Sequence, residues 1–475
     1  METKQFVNEI ADINTNFAQW YTDVVLKSDM VDYGPVKGTM VIKPYGYAVW
    51  ENIKAYLDKQ FKSVGVQNAY FPMFIPESFF KKEAEHVEGF APEVAVVTHA
   101  GGEELSEKLI VRPTSETIIC DMYSKWINSY RDLPVQMNQW CNVVRWEKTP
   151  RPFLRTTEFL WQEGHTVQAS LADAEADAKK MMEIYVECLK NVLAIPVLTG
   201  KKSEKEKFAG AIDTYSMEAI MKDGKCLQAG TSHNLGQNFA KASNIKFLNK
   251  DGQLEYGYST SWGVSTRLIG ALVMVHGDER GLRMPPHVAP IQTVIIPIAT
   301  KKEGVLEKCT EVYNTLNNAG LRVKMDDSNN TPGWKFNEYE MKGVPLRLEI
   351  GPRDIENCVA TAVRRDTHEK VELHLNNIAK EVADLLEVIQ NNMYVQATEI
   401  MNNSVVESDD YNEMVNMVNA GKVVLSYHCG EKSCEEEIKN NTTIKTRVIH
   451  SMDADHKCIY CGKPSKYRIY FGKQY

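Results

Sequence analysis

The chain has 475 residues with a net charge of −8, and 43% of its residues are hydrophobic and 25% charged. At roughly 100–200 residues per domain, this length predicts two to four globular domains, and the acidic balance excludes a uniformly basic coat for nucleic acid while permitting a local basic surface. The start of the chain has no basic segment followed by an apolar core, and the longest apolar stretch, residues 268–275, is too short to cross a bilayer, so a cytoplasmic protein without a membrane segment is expected.

The first block of the chain, residues 1–284, mixes helical patterns with short strands rich in aromatic residues. Within it, LIVRPTSET (Leu109–Thr117) predicts a strand that runs into Pro113. Thr114 and Glu116 follow, separated by a serine, and hydroxyl residues before an acidic residue are typical of a helix N-cap. A role of the same side chains in binding a ligand is the alternative.

The stretch VVRWEKTPRPFLRTTEFLWQEGH (Val143–His165) predicts two strands joined by a proline-rich loop. Because side chains alternate along a strand, Arg145 and Glu147 share one face of the first strand. The matching face of the second strand carries Arg155, Thr157, Phe159, Trp161 and Glu163. Guanidinium groups match phosphate, aromatic rings stack on purines and carboxylates hold amines or metal ions, so this hairpin suits a nucleoside triphosphate beside a small cation. A salt-bridged hairpin with a solvated face is the alternative.

Two later segments of the first block permit close contact with a ligand. QAGTSHNLGQNF (Gln228–Phe239) contains glycines that allow the backbone to approach a bound molecule. SWGVSTRLIGALVMVHGD (Ser261–Asp278) places Arg267 at the start of an apolar helix, whose positive end also favours phosphate. Neither a Walker A loop nor a Rossmann glycine pattern occurs, which argues against the nucleotide-binding folds built on those loops.

A proline-rich segment, RMPPHVAP (Arg283–Pro290), predicts a domain boundary. The block that follows, residues 291–400, alternates predicted strands with helices, which indicates a small α/β domain with a mixed sheet. Its first helix is expected to end at Gly320, where a glycine suits the C-cap, and a long amphipathic helix is expected over residues 376–401.

The ten cysteines are unevenly placed, since six are scattered and four lie in the last 50 residues. These four are Cys429, Cys434, Cys458 and Cys461. They form a C-x4-C pair and a C-x2-C pair with 23 residues between the pairs, which in a reducing compartment predicts a closed structural Zn²⁺ site. A disulfide or an empty site is the alternative. His428, His450 and His456 lie nearby and could replace one cysteine, although surface positions are expected for them.

Three stretches resemble, in order, the three motifs of class II aminoacyl-tRNA synthetases: FPMFIP, VVRWE with FLRTTEF, and GVSTRLIGAL. Five more resemble the prolyl-tRNA synthetase family over nearly the whole chain: RPTSET, FLRTTEFLWQEGH, KFAG, GTSHNLGQNF and VHGDERGL. The C-terminal cysteines resemble its archaeal/eukaryote-like type. The resemblance implies an α+β fold with an antiparallel-sheet catalytic domain (1–284), a small α/β anticodon-binding domain (285–404) and a small zinc-binding α+β domain (405–475). Motif 1 implies a homodimer.

The resemblance also implies an activity, the ATP-dependent ligation of L-proline to tRNA(Pro) in two steps through prolyl-adenylate. Mg²⁺ would be a cofactor, with ligands that the sequence does not identify. Arg145, Arg155 and Arg267 would be catalytic, the first two at the α- and γ-phosphates and the third over the adenine. The implied ATP site comprises Arg145, Glu147, Arg155, Thr156, Phe159, Gln228, Thr231 and Arg267. The implied proline site comprises Thr114, Glu116, Arg145, Trp161, Glu163, His165, Phe208, His233 and Ser265.

Other residues would act outside this site. Glu340 and Arg347 would read the guanines of the anticodon, because such side chains match base edges, with a surface salt bridge as the alternative. Arg364 and Arg365 are expected to contact the RNA backbone. The C-terminal carboxylate of Tyr475 would turn toward the active site.

Only 64 residues separate Glu163 from Gln228, too few for the editing insert that some relatives carry. Because one methylene changes binding by only about 1–3 kcal/mol, we expect activation of alanine or cysteine and correction by a separate protein. The alternatives are a sibling enzyme for another amino acid such as threonine, a catalytically inactive tRNA-binding relative, and a zinc-dependent RNA-binding module. The inactive relative would be expected to lack a phosphate-binding arginine, and the zinc module leaves the first 280 residues unexplained.

Overall fold

The computed structural model describes residues 10–84 and 93–475, and its elements form three successive bodies, each built around one main sheet. Among the residues described, no helix has both the length and the apolar composition that crossing a bilayer requires. The predicted absence of a leader also concerns residues 1–9, which lie outside the described residues.

The first body extends from the N-terminal side to the proline-rich segment. Its elements are α1 (Phe17–Lys27), β1 (Val31–Tyr33), β2 (Met40–Ile42), α2 (Pro44–Ser63), β3 (Gln67–Asn68), β4 (Phe74–Pro76), α3 (Glu77–Ala84), β5 (Ala95–Ala100), β6 (Glu103–Val111), α4 (Glu116–Trp126), β7 (Val135–Val144), β8 (Glu158–Gln168), α5 (Leu171–Asn191), β9 (Leu198–Lys201), β10 (Asp213–Ile220), β11 (Cys226–Gly236), α6 (Asn238–Ala242), β12 (Lys246–Leu248), β13 (Leu254–Tyr256), β14 (Tyr258–Ser265) and α7 (Arg267–His276). The second strand of the predicted hairpin, β8, begins three residues after Arg155, because Arg151 and Arg155 pair through their backbones and close the loop before it.

The main sheet of the first body has seven strands in the order β3-β7-β8-β14-β11-β10-β9. All neighbouring strands are antiparallel except the short β3, which runs parallel to β7. The expected antiparallel catalytic sheet is therefore confirmed, and β7 and β8 form the predicted hairpin at its centre.

Helices α2 and α5 cover one face of this sheet. Trp262 of β14 contacts Phe61 of α2 and Tyr185 of α5, with ring centroids 5.0 and 6.4 Å apart. Gly164 of β8 permits this packing, since a Cβ there would lie 2.2 Å from the Trp262 ring. Residues at alternate positions of the same strands point to the opposite face, which borders a cavity.

The second body consists of β15 (Thr293–Pro297), α8 (Val305–Asn318), β16 (Val323–Met325), α9 (Pro332–Met341), β17 (Leu346–Ile350), α10 (Pro352–Glu356), β18 (Val359–Arg364), β19 (Lys370–His374) and α11 (Ile378–Ser404). Its sheet has the order β16-β15-β17-β18-β19. The first three strands are parallel and the other pairings antiparallel, which confirms the predicted mixed sheet. Gly320 follows α8 with a φ of +82°, so the predicted glycine cap is present.

The third body consists of β20 (Val405–Glu407), α12 (Tyr411–Asn419), β21 (Val423–His428), α13 (Lys432–Thr442), β22 (Lys445–Met452) and β23 (Tyr467–Gly472). Its sheet has the order β20-β21-β23-β22. The helices α12 and α13 pack on one face through Met414 and Ile438. The other face packs on the first body, where Val423 and Val448 share an apolar cluster with Ile220. The third body therefore docks directly against the catalytic sheet.

Candidate active site

A cavity of about 320 Å³ opens on the face of the seven-stranded sheet opposite α5. The residues expected to bind the nucleotide and the amino acid all line this cavity, except Glu147, Arg155 and Thr156. The expected residues that do line it are Thr114, Glu116, Arg145, Phe159, Trp161, Glu163, His165, Phe208, Gln228, Thr231, His233, Ser265 and Arg267. Segments far apart in the sequence thus contribute to a single site.

The strand register explains why these segments meet. Thr231 of β11 lies opposite Gly263 of β14, which lies opposite Glu163 of β8. The next row joins His233 through β14 to His165 in the same way. Because side chains alternate across a strand, each row places its residues on the cavity face together.

Arg145 lies just beyond the end of β7 and is partly buried at the boundary between the two ends of the cavity. Its guanidinium lies over the rings of Phe159 and Trp161, at 5.5 and 5.4 Å from their centroids, and its Nε donates to Pro113 O at 3.0 Å. Burial lowers the pKa of Arg145 from its ordinary value, and nearby carboxylates such as Glu116 oppose the shift. A cation held this way is oriented before any ligand binds.

Arg267 is the first residue of α7, as the sequence predicts. Its Nε donates to Leu154 O at 3.2 Å and its Nη1 to Gln228 O at 3.3 Å. Burial together with the positive charges of Arg145 and Arg155 lowers the pKa of Arg267 to about 10. The three arginines therefore act on one another electrostatically, as convergence on a polyanionic ligand requires.

The three expected residues outside the cavity lining lie on the loop between β7 and β8. The side chain of Arg155 is 47% exposed, and its Nε lies 4.0 Å from a carboxylate oxygen of Glu147. Thr156 Oγ1 donates to Glu158 O at 2.7 Å. These loop residues thus lie outside the enclosed part of the site, whereas the strand pattern predicted Glu147 and Arg155 on the same strand faces as residues that line it.

Glu163 lies at a buried end of the cavity. Its carboxylate accepts hydrogen bonds from Ser115 N at 3.2 Å and Gln139 Nε2 at 2.8 Å, and it lies 3.0 Å from His165 Nε2. Burial acts to raise the pKa of Glu163, but the bonds from His165, Ser115 and Gln139 prevail and lower it. Glu163 is therefore a carboxylate held in place by its neighbours.

The residues after Pro113 do more than cap a helix. Ser115 is the N-cap residue of α4, but its side chain makes no capping bond and instead accepts from Gln139 Nε2 at 2.8 Å. Thr114 Oγ1 donates to the carboxylate of Glu116 within the cavity. Glu116, Glu163 and His165 bring ligand atoms within 4.8 Å of one another, so this end of the cavity suits a cation.

His233 and Phe208 form another wall of the cavity. Their rings lie 4.6 Å apart between centroids, and His233 Nδ1 is 3.0 Å from Thr214 Oγ1. Burial lowers the pKa of His233 to about 3, so the ring is neutral at physiological pH. Both residues were predicted from motif resemblance, and both line the cavity.

Several lining residues were missed by the sequence analysis. Thr214 supports His233 and Phe208, Glu206 lies beside them, and Ser261 has a buried hydroxyl with no hydrogen-bond partner among the described residues. The cross-strand pair of Thr214 with His233 would have identified the first of them, but that pairing depends on tertiary structure.

The predicted anticodon residues are paired with each other in the second body. Arg347 Nη1 lies 3.2 Å from a carboxylate oxygen of Glu340, and Arg347 Nη2 lies 2.9 Å from Glu349. The guanidinium also lies 4.0 Å from the centroid of the Phe336 ring. The salt bridge that the sequence analysis gave as the alternative is thus present.

The expectation that Arg364 and Arg365 contact the RNA backbone is wrong. Arg365 makes two bonds to Asp278 of the first body, at 2.7 and 2.6 Å, and its side chain is 3% exposed. Arg364 makes two bonds to Asp366 and is also buried. Both guanidiniums are paired with carboxylates of this chain, and Arg365 joins the two bodies.

The four C-terminal cysteines converge as predicted. Cys434 Sγ lies 3.7 Å from Cys458 Sγ, and Cys461 Sγ lies 3.6 Å from Cys429 Sγ. In a tetrahedral site with Zn–S bonds of about 2.3 Å, sulfur atoms lie about 3.8 Å apart, so the cluster fits zinc. All ten cysteines are free, which argues against the disulfide alternative. Hydrogen bonds from the Cys434 thiol and from nearby backbone N–H groups lower the pKa of Cys458, which favours its thiolate form.

The surface position expected for His428 is wrong, whereas His450 and His456 are exposed. His428 is fully buried beside the cysteines, and its ligand atom lies within 4.8 Å of those of Cys429, Cys434 and Cys458. Its Nδ1 accepts from Gly430 N at 3.0 Å, and its Nε2 has no partner among the described residues. His428 is therefore a fifth polar group at the cluster.

The C-terminal residue approaches the first body. Tyr475 N donates to Cys226 O at 3.1 Å, and the Tyr475 ring lies 5.7 Å from the guanidinium of Arg151 in the loop between β7 and β8. The tail thus ends alongside β11 and this loop.

Three protein-family models match successive parts of the chain. The "tRNA synthetase class II core domain (G, H, P, S and T)" matches residues 96–276, the "Anticodon binding domain" residues 292–385, and "Prolyl-tRNA synthetase, C-terminal" residues 411–475. Their order agrees with the three bodies of the structure.

Similarity to characterised proteins extends over the full length. The chain is 57% identical to a proline–tRNA ligase of Alkaliphilus oremlandii (strain OhILAs) and 56% identical to one of Acetoanaerobium sticklandii, each comparison covering 99% of both chains. The crystal structure of prolyl-tRNA synthetase from Cryptosporidium parvum, complexed with halofuginone and AMPPNP, is similar with a TM-score of 0.95 and 43% identity, covering 98% of this chain and 99% of that one.

Proposed function

We propose that the cavity on the seven-stranded sheet is where ATP and proline react in this chain, which belongs to the prolyl-tRNA synthetase family of class II and ligates proline to tRNA. The observation that carries this proposal is the arrangement of Arg145 between two different ends of the cavity. One end holds Phe159 and Arg267, which suit a nucleotide, and the other holds buried carboxylates, which suit the cationic imino group of proline.

The first step forms prolyl-adenylate. The proline carboxylate attacks the α-phosphorus of ATP, the bond to the β-phosphate bridging oxygen breaks, and pyrophosphate leaves. Because the nucleophile is already an anion, this step needs positioning and charge neutralisation rather than a general base. Arg145 is assigned to the α-phosphate and the proline carboxylate, and Arg155 to the γ-phosphate. Mg²⁺, when bound, neutralises further charge on the phosphates.

The ATP site is completed by residues from strands β8 and β11, from helix α7 and from the loop between β7 and β8. Phe159 and Arg267 are assigned to the two faces of the adenine, and Glu147 to its amino group. Thr156, Gln228 and Thr231 are assigned to the remaining contacts. The binding of AMPPNP by the Cryptosporidium parvum relative supports a nucleotide site in this body.

The amino-acid end is proposed to select proline by charge and shape. Thr114 and Glu116 are assigned to the imino group, with Glu163 and His165 holding the surrounding network. The walls are assigned to Trp161, Phe208, His233 and Ser265. In the second step the terminal ribose hydroxyl of tRNA(Pro) attacks the prolyl carbonyl and AMP leaves.

The decisive experiment is ATP–pyrophosphate exchange with the Arg145→Ala variant. Removing a donor aimed at developing charge lowers kcat by about 10²–10³-fold, so we expect a loss of this order with a smaller change in proline KM. The matched variant Arg131→Ala alters an arginine outside the cavity and should keep its rate. Near-normal exchange by Arg145→Ala contradicts the assignment.

The domains are proposed to divide after residues 284 and 404, as the three separate main sheets support.

Glu340 and Arg347 are assigned to anticodon reading, which requires their mutual ion pair to open. Arg347→Ala should then weaken aminoacylation while leaving ATP–pyrophosphate exchange unchanged, and equal loss of both activities contradicts this role.

The enzyme is proposed to be of the archaeal/eukaryote-like type, with Zn²⁺ held by Cys429, Cys434, Cys458 and Cys461. The sulfur distances support tetrahedral binding. Zinc held by four thiolates supplies folding energy to the third domain and leaves no open position for catalysis.

A cytoplasmic homodimer is the proposed state of the enzyme. Ten free cysteines suit a reducing compartment. Phe74 of motif 1 is 46% exposed and Tyr70, which precedes it, is 73% exposed, so large apolar surface is available near β4. Sedimentation equilibrium that finds only the 53.9 kDa monomer would contradict the dimer.

A further inference from the structure

The loop between β9 and β10, residues 202–212, forms one wall of the amino-acid cavity. Glu206 and Phe208 from this loop both line it. Yet the residues that hold the loop from outside come from the third body, which carries the cysteine cluster and not the reacting groups.

One contact is a buried hydrogen bond. Ser203 Oγ donates to Glu435 Oε2 at 2.9 Å, and the other carboxylate oxygen of Glu435 accepts from Thr446. Ser203 is 1% exposed and Glu435 is 6% exposed. Because a charged acceptor strengthens a hydrogen bond that water does not reach, this contact constrains the loop more than a surface bond would.

Two ion pairs flank this bond. Lys205 Nζ lies 3.4 Å from a carboxylate oxygen of Glu436, and Lys445 Nζ lies 3.9 Å from a carboxylate oxygen of Glu206. The first pair joins the loop to α13, and the second joins a cavity-lining residue directly to β22. The three contacts fall on Ser203, Lys205 and Glu206, so they constrain three of the five residues just before Phe208.

The base of the loop is also held by the third body. Arg447 of β22 and Lys202 each bind Glu218 of β10 at 2.5 Å, and all three side chains are almost fully buried. Gly200 of β9 approaches β22 so closely that a Cβ would lie 2.3 Å from Ile449 O. The point where the loop leaves the sheet is therefore part of the same interface.

We propose that Glu435, Glu436 and Lys445, here called the C-terminal clamp, are positioning residues that set the affinity of the cavity for its amino acid. The inference rests on the proposed assignment of this cavity to proline. The clamp touches no substrate and acts through the placement of Glu206 and Phe208. Since Glu435 directly follows Cys434 on α13, the cysteine cluster and the amino-acid pocket are joined by one helix.

The test uses Ser203→Ala, Glu435→Gln and the double variant in the full-length enzyme. ATP–pyrophosphate exchange is measured with proline varied and then with ATP varied. We expect each single variant to raise proline KM about threefold to tenfold, because the net contribution of a typical hydrogen bond, about 1 kcal/mol, shifts an equilibrium by that order. The ATP KM and kcat should change less than about twofold, since the nucleotide end is untouched.

The double variant shows whether the two residues act through one bond. If they do, its proline KM should be no higher than that of the more affected single variant, whereas independent effects would multiply. Glu437→Gln is the matched control, because it makes the same chemical change on an exposed residue of the same helix. Its proline KM should equal that of the unmodified enzyme.

The variant Phe208→Ala distinguishes the clamp inference from the assignment of the cavity to proline. If Phe208→Ala raises proline KM and the clamp variants do not, the clamp inference is overturned and the pocket assignment stands. If Phe208→Ala leaves proline KM unchanged, both are overturned. A clamp variant that lowers kcat and thermal stability with proline KM unchanged acts only on folding, which also overturns the inference.

Discussion

His276 is the last residue of α7, and the hydrogen bond of its buried imidazole depends on the protonation state of the ring. Its Nε2 lies 2.8 Å from Leu193 O, and the residue is 4% exposed. Burial lowers the pKa of His276 to about 3, far below the ordinary value of 6.5. The imidazole is therefore neutral in the folded chain and donates its Nε2 proton to the carbonyl.

This burial predicts that the protein loses stability as the pH falls below 6.5. The unfolded chain then binds a proton at His276 that the folded chain does not bind until about pH 3, so stability is full above 6.5 and decreases between these values. The expected slope from this one group is about 1.4 kcal/mol per pH unit at most. Urea unfolding at about pH 7.5 and about pH 5.5 measures it.

His276→Gln is the variant that isolates the effect. It keeps a side-chain N–H donor but cannot gain a proton, so its stability should decrease less between the two pH values. Some dependence should remain, because burial also lowers the pKa of His233 to about 3. Identical pH dependence in the variant and the unmodified protein would show that His276 titrates normally.

At the scale of elements, α13 combines two functions. Its first turn carries Cys434 of the cysteine cluster, and the next residue, Glu435, bonds to the loop of the first body. The remaining cysteines lie on the connections that follow β21 and β22, which leave the sheet at the same end beside Tyr467, so a metal would join these two connections to this helix. Zn²⁺ bound as proposed would therefore stabilise the third body by holding both connections and α13 together.

Loss of one cysteine should release the metal and destabilise this body. We expect Cys434→Ser to lower the zinc content, measured by elemental mass spectrometry, from about one atom per chain toward none, and to lower stability by on the order of several kcal/mol. Cys358→Ser is the matched control, because Cys358 is exposed in the second body and far from the cluster in sequence. Equal zinc content in the two variants contradicts the proposed site.

At the scale of the whole molecule, the chain has no room for an editing domain within its catalytic body. The segment between Glu163 and Gln228 consists of the end of β8, of α5, β9 and β10, and of the loop 202–212 that the C-terminal clamp contacts. Each of these belongs to the sheet or to its cover. We therefore expect discrimination against smaller amino acids to depend on the cavity of the seven-stranded sheet.

We accordingly expect measurable activation of alanine. Proline fills the cavity with methylenes that alanine lacks, each worth about 1–3 kcal/mol, so kcat/KM for alanine should be lower by on the order of 10²–10⁴-fold but not zero. ATP–pyrophosphate exchange with alanine measures this, and leucine, which is larger than proline, serves as the excluded control. Rapid hydrolysis of Ala-tRNA by this chain alone would contradict the absence of editing.

The sequence by itself determined the local structure and the composition of the site. Hydrophobic periodicity and proline or glycine positions predicted the mixed sheet, the cap at Gly320 and the start of α7 at Arg267, because these features depend on neighbouring residues. Motif resemblance supplied the full set of cavity residues, and the spacing of the two cysteine pairs predicted the cluster, because metal-binding cysteines recur at fixed spacing.

Only the tertiary structure decided which side chains face one another. It placed Thr214 beside His233, buried His428 at the cysteine cluster, and joined Arg365 to Asp278 across two bodies. It also brought α13 against the loop that lines the amino-acid cavity. Such pairs join residues far apart in the chain, and their formation depends on strand register and on how bodies dock, which no local pattern of residues specifies.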